Sequence, residues 1–155
     1  MPIKKNEIKV LRALCKNARR TLEDIGNETG LTGPGVGKII DRLENSGVIT
    51  SYIALPALEK IGFKIVSIFL FRWDHSKGNM DELDEFLRKT KGIIFAAPVE
   101  GSRFTHLVVS AHPGFGELED FLRGFRSRWD GLIREDSLLL MSPDRAARNL
   151  NFEVF

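Results

Sequence analysis

Residues 31–44 read LTGPGVGKIIDRLE, with glycines at 33, 35 and 37 and a lysine at 38. A glycine-rich run ending in lysine is the composition of a loop whose backbone N–H groups cradle phosphate. Spacing tests that reading. A Walker A loop needs G-x-x-x-x-G-K followed by Ser or Thr. With Gly37-Lys38 as the G-K pair, the first glycine would fall on Thr32, and the residue after the lysine is Ile39, which offers magnesium no hydroxyl. A dinucleotide fingerprint needs a buried strand just ahead of its glycines, and a short helical pattern stands there instead. The run is better read as the start of a helix.

Other reactive residue types are sparse. His75, His106 and His112 form no metal-like pair with a cysteine, and no H-E-x-x-H, C-x-x-C or G-x-S-x-G run exists. The carboxylates Asp81, Glu82, Asp84 and Glu85 crowd one charged helix face, where solvation accounts for them. The expectation is no catalytic residue, no metal and no cofactor. Cys15 is the single cysteine, so no internal disulfide forms, and helical spacing puts it on or beside a packed face.

The chain has 155 residues, 43% apolar and 28% charged, enough for one ordinary domain or two small ones. No stretch approaches the ~18 uninterrupted apolar residues of a membrane span, and the start, MPIKKNEIKV, lacks a signal-peptide core. With the lone cysteine this points to the cytoplasm. Residues 1–60 hold ten Lys/Arg against seven Asp/Glu, and the remainder thirteen against fourteen. A modestly basic first part suits a polyanion if its cations share a face.

Those residues need elements to position them. In NEIKVLRALCKNA, Ile8, Leu11, Leu14 or Cys15, and Ala18 recur at helical spacing. Thr21-x-x-Asp24 opens a second helix as a capping box, with Leu22, Ile25 and Thr29 inward and Gly30 ending it. Thr32 is the N-cap of a third helix, unless its glycines delay the start to Val36. Val36, Ile40 and Leu43 face inward, with Ile39 at the border, and Lys38, Asp41, Arg42 and Asn45 face out. A β-prone run, VITSYIAL, follows. Helix, helix, tight turn, helix, strand is the order of a winged helix-turn-helix.

From Lys64 the order is βαββαβ. KIVSIFLFRW is apolar on both faces, Ile65, Phe69, Phe71 and Trp73 on one and Val66, Ile68 and Leu70 on the other. Helices cover one face, and a second subunit is expected on the other. Leu83, Phe86 and Leu87 mark the first helix, and Phe115, Leu118, Leu122, Phe125 and Trp129 the second. The fold class is therefore α+β: an N-terminal winged helix-turn-helix (1–53), a hinge (54–63), a ferredoxin-like βαββαβ sandwich (64–142) and a C-terminal extension (143–155) with a short turn at Pro143 and a β-prone end, NFEVF.

The first part resembles the Lrp/AsnC family of transcriptional regulators. The resemblance rests on an ordered set: Ala18-Arg19, Gly30-Leu31-Thr32, Arg42-Leu43-Glu44, Gly47-Val48-Ile49 and the hinge Ser51-Tyr52-Ile53-Ala54. The βαββαβ order extends it over residues 5–142. It implies double-stranded DNA as partner, a homodimer or higher homo-oligomer built through the second domain, and a small-molecule effector. The implied DNA-binding residues are Arg20, Thr21, Thr32, Gly33, Pro34, Gly35, Gly37, Lys38 and Arg42, with Lys38 and Arg42 reaching phosphate or a base edge and Arg19 bracing the domain. The implied effector turn is Gly101, Ser102 and Arg103.

The chain departs from the family at Ile39, where an Arg is common, and at Phe104, where the family's G-x-x-D turn has Asp. Loss of that acid argues against an ordinary amino-acid effector. Two other readings remain: a weakly specific architectural DNA coat, and a haem-precursor decarboxylase-like protein using His106 and Arg103, which an alternating strand would place on opposite sides. A partner-binding or metabolite-sensing module without DNA contact is a further class.

Overall fold

The structure, a computed structural model, describes residues 3–145, which divide into two compact units, 3–55 and 56–145. The NFEVF run lies outside the described residues, and Pro143–Arg145 forms one 3-10 turn.

In the first unit α1 (Lys5–Lys16), α2 (Leu22–Thr29) and α3 (Gly33–Asn45) pack around Val10, Ala13, Leu14, Ile25 and Val36. Leu31, Ile39, Ile40 and Ile49 close over this core. The buried stripe of α1 is offset from the expected one. Glu7, Val10, Ala13 and Leu14 are buried, Ile8 and Leu11 only half-buried, and Cys15 and Ala18 exposed. The helix stops at Lys16 and Asn17 is extended, at φ −161° and ψ 104°. Ala18 is thereby off the helix, and Cys15 turns away with the residue after the stripe. Leu22 is likewise exposed rather than inward, leaving Ile25, Gly26 and Thr29 as the buried face of α2.

The turn between α2 and α3 is set by Gly26. The N–H groups of Gly30 and Leu31 both donate to the Gly26 carbonyl at 2.9 Å. A Cβ on Gly26 would lie 2.6 Å from the Leu31 carbonyl oxygen, so only glycine lets the chain fold back this tightly. Beyond the turn, α3 starts early. Thr32 caps it, its hydroxyl accepting from the Gly35 N–H at 3.3 Å, with Pro34 in the first turn, where its missing N–H costs nothing. The expected strand after α3 does not form: residues 50–57 have no regular secondary structure. A strand needs a neighbour to complete its ladder, and among the described residues the first unit holds no other strand.

The second unit runs β1 (Ile65–Trp73), α4 (Met80–Lys89), β2 (Ile93–Pro98), β3 (His106–His112), α5 (Phe115–Arg128) and β4 (Ile133–Met141). The strands form one antiparallel sheet in the order β2-β3-β1-β4. This is the ferredoxin-like βαββαβ arrangement that the sequence order implied. Alternation along β1 sends Ile65, Phe69, Phe71 and Trp73 to the helices, where they pack with Leu83, Leu87, Leu118, Leu122, Phe125 and Trp129. Phe115, expected in that stripe, is 66% exposed because it occupies the first position of α5, ahead of the buried turns. The other sheet face carries Ile68, Leu70 and Val109, joined by register to Leu139 and Phe95. Leu139 and Phe95 are 54% and 55% exposed.

Candidate nucleic-acid interface

Successive residues of α3 rotate by about 100°. With Val36 and Leu43 buried, the opposite face presents Pro34, Lys38, Asp41 and Asn45, all exposed. Lys38 has no hydrogen-bond or ion-pair partner among the described residues. Arg42 flanks that face. Its Nη1 donates to Glu7 Oε1 at 2.7 Å, and its side chain remains 53% exposed. Glu7 sits on the buried stripe of α1. The Lys4 backbone N–H, which donates to Oε2 at 2.8 Å, and the Arg42 guanidinium hold its carboxyl below the usual range.

The glycines have different surroundings from one another. A Cβ on Gly33 would meet Glu23 Cγ at 3.5 Å, and one on Gly37 would meet Leu22 Cδ1 at 3.4 Å. Both therefore lie on the α2 side of the helix, in the seam between α2 and α3. Gly35 lies against the Thr32 hydroxyl, 3.0 Å from where its Cβ would be. Thr32 and Pro34 are exposed at the helix tip.

The bracing contacts expected of Arg19 are made by Arg20. Arg20, 24% exposed in its side chain, is ion-paired to Glu28 and donates from Nη2 to the Asp24 carbonyl at 3.0 Å. It braces α2, because Asp24 and Glu28 are one helical turn apart and both within its reach. Arg19 is exposed, and its side chain has no partner among the described residues. The Thr21 hydroxyl accepts from the Asp24 N–H at 3.1 Å and donates to the Asp24 carboxylate at 2.7 Å, which lowers that carboxyl's pKa. Sequence reasoning missed Glu7 and Gly26. The available signals were a carboxylate three residues before Val10 on the apolar stripe and a glycine inside a short helix.

At the turn implied for an effector, Gly101 takes φ 81°. The Ser102 hydroxyl accepts from the Phe104 N–H at 3.1 Å. Arg103 places Nε 3.5 Å from Glu135 and its guanidinium 5.0 Å from the Phe104 ring centre. Arg103 precedes β3, so the alternation expected between it and His106 does not apply. His106 is buried and stacked on Phe71 at 5.1 Å, its Nδ1 2.8 Å from Thr105 Oγ1, and burial and His75 depress its pKa. Among the described residues no His/Cys/Asp/Glu group could hold a metal ion, and no helix is long and apolar enough to cross a membrane.

The profile of a family described as winged helix-turn-helix DNA-binding matches residues 3–50. HTH-type transcriptional regulator LrpB of Bacillus subtilis is 30% identical over 112 residues, which span 72% of this chain and 74% of that relative. This chain belongs to the Lrp/AsnC family. Another relative, HTH-type transcriptional regulator Ptr1 of Methanocaldococcus jannaschii, is 33% identical over 86 residues, 52% of this chain and 58% of Ptr1. The Lrp/AsnC fold extends over both units. An L-Met complex of a transcriptional regulator from Neisseria meningitidis superposes with a TM-score of 0.83 at 14% identity, covering 97% of this chain and 95% of that one. E. coli AsnC gives 0.76 at 14%, covering 97% and 99%. Within that Lrp/AsnC frame the helix-turn-helix is α2 and α3, and the wing position holds the irregular segment 50–57.

Proposed function

We propose that this Lrp/AsnC-family regulator binds operator DNA sequence-specifically, with α3 in the major groove. The observation that carries the reading is Lys38, exposed and unpartnered on the face of α3 opposite its buried stripe. A lysine there gives a phosphate or a base edge an ammonium that no carboxylate among the described residues neutralises. Arg42 flanks it, Arg19 replaces Arg20 as the arginine free to meet a phosphate, and Thr32, Gly33, Pro34 and Gly35 bring the helix start, with its unbonded N–H groups, against the backbone. Thr21 and Gly37 support α2 and its seam with α3.

The protein acts in the cytoplasm as a homodimer or higher homo-oligomer, with the open sheet face of the second unit as the contact. Its apolar residues, Phe95 and Leu139 among them, are those a subunit interface buries. Two-fold symmetry requires operator half-sites about one helical turn apart, or a multiple. A small-molecule effector is expected near Gly101–Arg103. The Neisseria relative was solved with L-Met, but here Phe104 offers a ligand ammonium no carboxylate, so an ordinary amino acid is not the favoured ligand.

Selection of bound duplexes from a random pool, with and without candidate metabolites, tests this. A recovered operator bound ~10³-fold or more above random duplex at fixed salt supports the reading. A ratio near one replaces it with a weakly specific DNA coat, and no binding at low salt removes it.

A further inference from the structure

Among the described residues, ion pairs within the first unit join Lys16 and Arg20 to Glu28, and Arg42 to Glu7. Of these, the last ties α1 to the recognition helix. Glu7 is nearly enclosed, its side chain 9% exposed, while that of Arg42 is 53% exposed. Both carboxylate oxygens are occupied, one by the Lys4 N–H and one by Arg42 Nη1. A guanidinium has five N–H donors in a planar fork, and Glu7 engages one nitrogen. Nε and Nη2 of Arg42 carry no partner among the described residues. That pair of nitrogens is an edge that can bond bidentate to a phosphate. Arg20 differs: two of its nitrogens are bonded and its side chain is 24% exposed. Arg42 also borders a groove of about 360 Å³ between Lys4–Glu7 and Ile39, one turn along α3 from Lys38.

We infer that Glu7 is a positioning residue for DNA contact, fixing Arg42 so that its Nε–Nη2 edge meets a backbone phosphate in one pose. This rests on the DNA reading of α3 given above. A free arginine loses rotamer freedom when it binds, and one already held by Glu7 has less to lose. Glu7 therefore favours binding through Arg42, although its own charge opposes a polyanion.

The test is a double-mutant cycle on a duplex selected from a random pool, titrated at several salt concentrations. Arg42→Ala should weaken binding about tenfold and lower the salt slope by about one. Glu7→Gln should weaken it about threefold and leave the slope unchanged, because the cation remains. In the Arg42→Ala background Glu7→Gln should no longer weaken binding, because only the small repulsion of its own charge is left to remove. A similar change from Glu7→Gln in both backgrounds overturns the inference. Tightening in both would mean that Glu7 merely repels phosphate, and weakening in both would mean that it acts through the fold. Should melting curves show Glu7→Gln unfolded, Arg42→Lys keeps the charge without the fork. It should retain the wild-type slope and bind about threefold more weakly, and wild-type affinity would overturn the inference. Lys38→Ala is the control. If it binds as wild type, or wild type binds no duplex, the DNA reading of α3 fails in proteins whose Glu7 and Arg42 are intact, and the inference falls with it.

Discussion

The outer face of α3 and the open face of the sheet are both exposed, yet one presents Pro34, Lys38, Asp41 and Asn45 while the other presents Phe95, Leu139 and Met141. A polyanion that keeps its water suits the first, since its ammonium gains from phosphate without being desolvated. It does not suit the second, whose aliphatic and aromatic surface gains only by leaving water, at about 25 cal/mol per Å² buried. The difference suits the two surfaces to different partners, and substitutions on each should fail in different ways.

The largest contrast lies across the sheet itself. Phe69 is fully buried on the helix side, in contact with Phe71 and Phe125. Phe69→Ala should cost about 3–5 kcal/mol of unfolding free energy, read by urea titration. Leu139, on the opposite face, should behave otherwise. Leu139→Glu should leave each subunit folded and turn a dimer into a monomer by light scattering, because two-fold symmetry brings both new charges into one interface. A Leu139→Glu protein that stays dimeric would place the contact elsewhere.

Within the first unit, Gly26→Ala comes next. Its Cβ has the Leu31 carbonyl at 2.6 Å, with backbone on both sides of the contact. Relief requires shifting the turn between α2 and α3, so a loss of about 1–3 kcal/mol is expected, with weaker DNA binding because α3 moves. Retained thermal stability would show that the turn has slack. Lys38→Ala should then leave stability unchanged, weaken binding about tenfold and lower the salt slope by about one. An unaltered slope in the folded variant would remove Lys38 from the interface.

Elements that depend on neighbours in sequence were legible, and those that depend on a distant partner were less so. The cap at Thr32, the capping box at Thr21 and Asp24, and the alternation along β1 all follow from residues a few positions apart. The strand expected after α3 failed because β propensity does not supply a ladder partner. The stripe of α1 lies one residue earlier than expected, on Glu7 and Val10 rather than Ile8 and Leu11, because packing against Ile25 and Val36 sets which way the helix turns and periodicity within α1 does not. Arg19 and Arg20 are adjacent and chemically alike, so only the position of Glu28 across the turn separates the brace from the exposed residue. Glu7 and Arg42 are 35 residues apart, and nothing local to either announces the other.

The smallest expected effect separates the two units by pH. All three histidines, and both tryptophans, lie in the second unit, while Tyr52 lies in the first. His112 is buried, with Nε2 2.8 Å from Ser110 Oγ, which is itself 2.7 Å from Ser67 Oγ. Burial pushes its pKa below the ordinary 6.5, against a smaller opposing pull from Glu117, and His106 is depressed in the same direction. A depressed histidine favours the neutral ring in the fold. Below about pH 6.5 the unfolded chain therefore binds more protons than the folded one, and stability falls as pH drops from there towards the folded values. The lowered carboxyls of the first unit, Glu7, Asp24 and Glu28, have ordinary values of 4.5, 3.8 and 4.5. Their contribution is present above those values and is lost only at lower pH. Between pH 7.5 and 5.5 the urea midpoint followed by tryptophan fluorescence should decrease, while the midpoint followed by backbone amide NMR signals of α1–α3 holds. His112→Gln should flatten the tryptophan-detected decrease. A decrease of equal size in the variant would assign the titration to His106, beside His75 and Asp84 at the other end of β3.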